Sequence, residues 1–400
     1  MLITVLLDVM AIGMMLPALP KLVESFLPGD VAHAAQIYGL FGMAWGFMQF
    51  IGAPILGALS DRYGRRPVIL LSNLGLGLDY ILMALAPNLW VLLIGRLIAG
   101  ISSSSFSTAF AYVADITPPE HRAAEFGKIG AVFGLGFIVG PAVGGLLAGI
   151  DQRLPFWVAA AFSLANFAYG YFVLPESLPL ERRMPFSWTR ANPYGAMRML
   201  RRNPRLIGLS VVSFLDTLAL IALPATFVLY ATHKFAWSDT TIGLTFAGTG
   251  LGLAIAHGLL TQPVVAAIGE RRTLIAGLAI GVVGFSVYAI SWEGWVVWAA
   301  IPLIALWGIA ESALQSLMSQ LVEPDEQGQL QGAQASLVAL AETLGPLLFT
   351  QVYAAALTAN LDWVPVGAPF LVAAALQLLA ITFAWTATKP AKKVALFKAL

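Results

Sequence analysis

The chain has 400 residues, 59% of them hydrophobic and 11% charged, with a mean hydropathy of +0.82. That much apolar surface cannot be hidden in one water-soluble core, so an integral membrane protein is expected. A net charge of +1, with basic residues spread over short loops, excludes a nucleic-acid-binding face, and zero cysteines with four scattered histidines exclude a disulfide framework and a zinc site.

In chain order, twelve apolar runs are long enough to span a hydrocarbon core of ~30 Å. They cover about 2–26, 34–57, 67–86, 89–113, 127–149, 155–174, 206–230, 239–266, 272–291, 295–320, 329–357 and 364–387. The runs are continuous rather than alternating, which selects helices over a barrel. The first lacks a basic segment and a cleavage site, so it is expected to be a helix and not a removed signal. Alternate loops hold 18 of the 22 Lys and Arg; the opposite loops hold only Lys21, Arg153 and Lys234, and Arg96 sits inside a run. The positive-inside rule then places both termini and the long middle loop in the cytoplasm.

The second half repeats the first. Gly64 and Gly269, Pro119 and Pro324, Gly127 and Gly332, and the pairs Gly140-Pro141 and Gly345-Pro346 all stand 205 residues apart. Two parallel six-helix units at 1–175 and 206–388 are therefore expected, with a polar linker at 176–205 and a tail at 389–400. Such repeats carry a substrate path at their interface. The linker's arginines and prolines also suit a plain solvated connector.

Several motifs carry the functional reading. The tract Gly57-Ala-Leu-Ser-Asp-Arg-Tyr-Gly-Arg-Arg66 packs charges into a turn between two runs, where Asp61 would pair with an arginine or face a helix start. In the fifth run, Gly136, Gly140, Pro141, Gly144 and Gly145 strip side chains from one face; tight packing and a hinge are both open. A charge at mid-bilayer costs ~2.5 to 3.5 kcal/mol even on the lenient insertion scale, so Asp8, Asp79, Arg96, Asp216, His257, Glu311 and Glu342 stand out. Asp79 and Arg96 flank the Pro87-Asn88 turn symmetrically and share a depth; they form a salt bridge, or Arg96 serves Asp8 in one state and releases it in another. Glu311 and Glu342 flank Asp325-Glu326 in the same way. Asp216, Glu311 and His257 lie at ~14 to 15 Å into their runs, where one cavity can collect them. Aromatics such as Trp45, Phe106, Phe110 and Trp307 suit an apolar ligand or simply face lipid.

The charged tract resembles the loop between helices 2 and 3 of the major facilitator superfamily. Nearly the whole chain, from Asp8 and Gly13 through Gln49, Asp79-Tyr80, Gly95-Arg96, Tyr112, Asp115 and Pro175-Glu176-Ser177 to Gly345-Pro346, resembles its tetracycline/proton antiporters. The resemblance implies an all-α membrane protein of twelve transmembrane helices in two pseudo-symmetric bundles. It also implies a proton-coupled exporter of small amphipathic compounds, tetracycline-like drugs among them, with proton-coupled import of an organic solute as the alternative.

Proton coupling is expected at Asp8, Asp79, Arg96, Asp216, Glu311 and Glu342, and a substrate cavity at Gln49, Tyr80, Tyr112, His257 and Gln315. Asp61, Arg62, Gly64, Arg65, Arg66 and Asp115 are expected to latch the outward-facing state, and the glycines of the fifth run to act as its hinge. Leu253 and Gly281 stand where those pumps carry a histidine and an aspartate. The expected partners are a small-molecule substrate, protons and membrane lipid, with no cofactor, no nucleic acid and no enzymatic site; the expected form is a monomer in a bacterial inner membrane.

Overall fold

The computed structural model describes residues 1–103, 105–118, 121–186, 200–201, 203–323, 327–359 and 365–389, and its regular structure there is helical throughout. Pro119, Pro324, Asp325-Glu326, most of the linker and the tail beyond 389 lie outside the described residues, as does the Phe106 side chain. The first half comprises α1 (Leu2–Ser25), α2 (Val31–Tyr63), α3 (Arg65–Leu85), α4 (Leu89–Ser102), α5 (Ser105–Ile116), α6 (Arg122–Ala148) and α7 (Leu154–Val173). The second comprises α8 (Pro204–Phe235), α9 (Asp239–Ile255), a π-helical turn (Ala256–Leu260), α10 (Thr261–Ile268), α11 (Glu270–Ile290), α12 (Gly294–Trp307), α13 (Ile309–Ser319), α14 (Gln327–Thr358) and α15 (Ala368–Ala387).

Among the described residues, eleven spans are long and apolar enough to cross a bilayer. The fourth run, expected as one helix over 89–113, is instead split after Ser102. Ser103 turns its hydroxyl back onto Ala99 O at 2.8 Å, the local competition with the helix ladder that serine offers. The tenth span breaks at the matching place: α12 ends at Trp307, 205 residues after Ser102, and Gly308 follows. The same interval separates the one-residue turns at Gly64 (φ +106°) and Gly269 (φ +80°), where a left-handed backbone lets one helix follow another directly. At the opposite end, Asp30, Asn88 and Ser238 cap α2, α4 and α9 by accepting backbone N–H bonds.

Each half packs on itself. α1 lies against α6 and α7, and α3 against α4 and α7; in the second half α8 lies against α14 and α15, and α11 against α12 and α15. The halves meet along two seams, α2 on α14 and α6 on α9. The face carrying Met1, Gly64, Gly269 and Lys389 is the terminal face, and the other is the far face. Exposed Trp90, Trp292 and Trp295 ring the far face, where indoles favour the lipid–water boundary.

The seams close in the far half. Among the described residues, four polar contacts join the halves there: Lys21 to Asp239 at 2.6 Å, Glu24 to His233 at 2.9 Å, the Tyr38 hydroxyl to Pro224 O at 3.2 Å, and Thr240 to Gly145 O at 3.5 Å. Gly145 and Gly243 touch backbone to backbone, a Cβ on Gly145 coming 2.9 Å from Gly243 Cα. In the terminal half, a Cβ added to Gly127, Gly130 or Gly134 of α6, or to Gly258, would meet nothing within 4 Å. Among the described residues, the halves therefore meet at the far face and stand apart beside these glycines toward the terminal face.

Candidate functional site

Asp8 lies ~9 Å along α1 and is 4% exposed. Its Oδ1 accepts from Asn166 Nδ2 of α7 at 2.9 Å, and the same amide donates to Thr4 O. Arg96 serves Asp79 rather than Asp8: its Nη2 donates to Asp79 Oδ2 at 2.9 Å, with both residues buried. Gly95 makes room for this pair, since a Cβ there would lie 2.5 Å from Asp79 Oδ1. Tyr80 is 1% exposed and within electrostatic range of Asp79, Arg96 and Asp8. The two acids of the first bundle thus differ in kind. Asp79 has a cation beside it, and Asp8 has a neutral amide.

In the second bundle, Asp216 of α8 sits in a cradle of neutral donors. Its Oδ1 accepts from the Trp307 indole Nε1 at 2.8 Å and from Gln377 Nε2 of α15 at 2.9 Å. Trp307 is held edge-on to Phe285, and its ring lies where a Cβ on Gly281 would be, 2.7 Å from Cδ1. Glu311, one turn beyond Trp307 on α13, is exposed. His257 occupies the π-helical turn, a distortion often found at functional sites, and is exposed with Nδ1 3.3 Å from Ser312 Oγ. Leu253 lies beside it; both it and His257 Nε2 would meet a Cβ on Gly308.

Glu342 is placed by its backbone. It lies on α14 at the α2 seam, its carbonyl 2.6 Å from where a Cβ on Gly46 would stand. Gln49 and Gln315 are half-buried. Tyr112 sits apart from these groups, buried in a cluster with Val5, Val9 and Ile69 and donating to Pro175 O at 3.1 Å.

The charged tract is more helical than its sequence implies, because α2 runs to Tyr63 and only Gly64 turns. Arg65 binds Asp61, Ser60 and Asp115, and Glu176 accepts from the Arg65 and Arg66 backbone N–H groups at 2.8 and 3.3 Å. Arg66 reaches Tyr171 O, and Arg62 lies over the Tyr63 ring. All of these partners belong to the first bundle or its exit at Glu176. The glycines of α6 serve two neighbours. Gly136, Gly140 and Gly144 face Val9, Gly13 and Met14 of α1, whereas Gly145 faces α9; the helix itself is continuous through Pro141.

Asn166 and Gln377 were not singled out by the sequence, and Trp307 only as an aromatic that suits an apolar ligand or faces lipid. The two carboxamides are the signal that identifies them, being polar side chains inside otherwise apolar runs. Glu176 and the far-face ion pairs carry no such mark, since each lies in or beside a loop.

The model of the Major Facilitator Superfamily matches residues 1–346 and 209–399. The class C tetracycline resistance protein of Escherichia coli is 40% identical over 371 residues, 92% of this chain and 93% of that protein. The class G tetracycline resistance protein of Vibrio anguillarum is 37% identical over 378 residues, 94% of this chain and 95% of that one. Among solved structures, the human organic anion transporter MFSD10 (TETRAN) aligns with a TM-score of 0.72 and 28% identity over 96% of this chain and 97% of that one. The nucleoside transporter NupG aligns with a TM-score of 0.76 at 14% identity over 97% and 98%.

Proposed function

The chain belongs to the major facilitator superfamily, and from that premise we propose that it is a proton-coupled exporter of small amphipathic drugs, tetracyclines included, working by alternating access. The observation that carries this reading is the 40% identity to a tetracycline resistance protein across nearly both chains. The distribution of Lys and Arg supports a cytoplasmic terminal face, and on that reading the terminal-face opening takes up a drug from the cell. The working unit is a monomer in lipid, divided at 1–175, 176–205, 206–388 and 389–400.

The geometry supports coupling. Asp8 is buried against a neutral amide, so its charge is balanced by a proton rather than by a cation. That proton leaves to the cytoplasm in this state and is regained from outside in the other. Drug and proton need not touch, because each biases the same two-state seam. Asp79 and Arg96 hold each other and set the depth of the first bundle's polar floor; Tyr80 and Gln49 lie beside the drug path. Glu311, Glu342, His257 and Gln315 supply the second bundle's share, and their acidic bias suits a cationic or zwitterionic drug.

The charged tract is the latch of the opposite state. Here Arg65 binds Asp61 and Asp115, Arg66 reaches Tyr171 and Arg62 lies over Tyr63, all within the first bundle, leaving the cytoplasmic face free to part. Gly136, Gly140, Pro141, Gly144 and Gly145 let α6 slide between α1 and α9. Import of an organic anion, the second reading, meets exposed Glu311, a charge of the wrong sign.

The test is drug movement in proteoliposomes under an imposed pH gradient, with tetracycline and the cationic dye ethidium as probes. Accumulation of either against its gradient, abolished when the pH gradient is collapsed, is expected. Movement of neither, or drug leaving with the proton rather than against it, would overturn the exporter reading.

A further inference from the structure

Asp8–Asn166 has a counterpart. In each half the first helix offers a carboxylate to a carboxamide on the last: α1 to α7, and α8 to α15. Counted from the starts of α7 and α15, Asn166 is the thirteenth residue and Gln377 the tenth. The second clasp is thus one helical turn nearer the far face. The two clasps are not copied residue for residue; the 205 interval maps Asp8 to Ser213. They are the same device built twice.

We propose that Asp216, cradled by Trp307 and Gln377, is a second proton-carrying carboxylate that exchanges its proton with the terminal-face opening through Glu311. This rests on the exporter reading above. Both donors converge on Oδ1, and a carboxyl oxygen accepts N–H bonds whether the group is ionised or protonated. Oδ2 can therefore gain and lose a proton while the cradle stays in place. The transfer is balanced: the O–H bond of a protonated Glu311 breaks, an O–H forms on Asp216 Oδ2, and the negative charge moves to Glu311.

Glu311 suits the relay because it is exposed and lies one turn from Trp307, whose indole donates to Asp216. The other ionisable groups on helices packed against α8 are Glu342 and Tyr353 on α14, Asp8 on α1, Lys21 and Glu24 of α1 with His33 and Tyr38 of α2 toward its far end, and Asp61, Arg62 and Tyr63 of α2 at the terminal face. α15 brings none. Among the described residues no cation forms a bridge to Asp216, which separates it from Asp79.

Trp307 and Gln377 are positioning residues, and Gly281 is part of the same arrangement because its missing side chain leaves space for the indole. Infrared difference spectra of the detergent-purified full chain, acidic minus alkaline, test this without any drug. Two protonated-carboxyl bands assigned by substitution are expected, one lost in Asp8→Asn and the other in Asp216→Asn. Trp307→Phe keeps an aromatic ring but removes the indole N–H, so it should move the Asp216 band to higher frequency and leave the Asp8 band in place; Gly281→Ala should do the same by displacing the indole. An Asp216→Asn spectrum identical to wild type would overturn the proposal. If that variant fails to fold, a Trp307→Phe spectrum with no shifted band would overturn it equally. Failure of drug flux with both bands present would instead count against the exporter reading.

Discussion

Lys21 on α1 and Asp239 at the head of α9 meet at 2.6 Å across the seam between the bundles, and Glu24 and His233 meet beside them at 2.9 Å. These pairs hold the far face shut. Each is partly exposed, so each contributes at most ~1 kcal/mol, and together they bias the closed state by at most ~30-fold. Asp239→Asn with Glu24→Gln should raise the population open at the far face without unfolding the chain. The chain has no cysteine, so spin labels on cysteines introduced at exposed Ile150 and Trp292 report the change directly as a longer distance. An unchanged distance distribution would remove the pairs from the gate.

The glycine contact behind those pairs is expected to matter more. A Cβ at Gly145 would stand 2.5 Å from Asp239 O and 2.9 Å from Gly243 Cα, and neither backbone atom can yield cheaply. Gly145→Val should therefore hold the far face open and lower transport at least ~10-fold, the scale of ~1.4 kcal/mol in the closing equilibrium. Gly130→Val, at a position with nothing within 4 Å, should leave the same label distance unchanged.

Most of the fold was legible in the sequence, because run length, loop charge and the 205-residue repeat are properties of the solvent and the chain alone. Ten of the expected spans lie close to their helices. The split at Ser103 was not legible, since four consecutive serines are compatible with a helix until one hydroxyl turns onto Ala99 O. Of the site, the charged side chains were legible as oddities in apolar runs. Their partners were less so: Asp79 and Arg96 share a turn and a depth, whereas Asp8 meets Asn166 across 158 residues and Asp216 meets Gln377 across 161. Such pairs are made by helix packing, which one sequence does not specify.

The buried Asp79–Arg96 pair predicts a stability asymmetry. Removing one partner leaves an uncompensated charge and costs ~3 to 5 kcal/mol, while removing both leaves none. In detergent, Arg96→Leu should melt well below wild type, and Asp79→Asn with Arg96→Leu should recover part of the loss. A double variant no more stable than Arg96→Leu would show that the pair is not coupled as its 2.9 Å contact indicates.

The latch reading predicts a separation of rate from affinity. Asp61 and Arg65 bind each other at the terminal face, away from the buried carboxylates. Asp61→Asn should slow tetracycline transport several-fold and leave equilibrium binding to purified protein nearly unaltered. Equal losses in both would place Asp61 in binding rather than switching.

The central claim is that a proton on Asp8 drives the drug, and it is tested most directly by tetracycline uptake into proteoliposomes with an acidic lumen. Wild-type protein should concentrate the drug inside. Asp8→Asn should still exchange labelled for unlabelled tetracycline at equilibrium but concentrate none, because the carriers' motion remains and its coupling is gone. An Asp8→Asn protein that concentrates tetracycline at the wild-type rate would contradict the account.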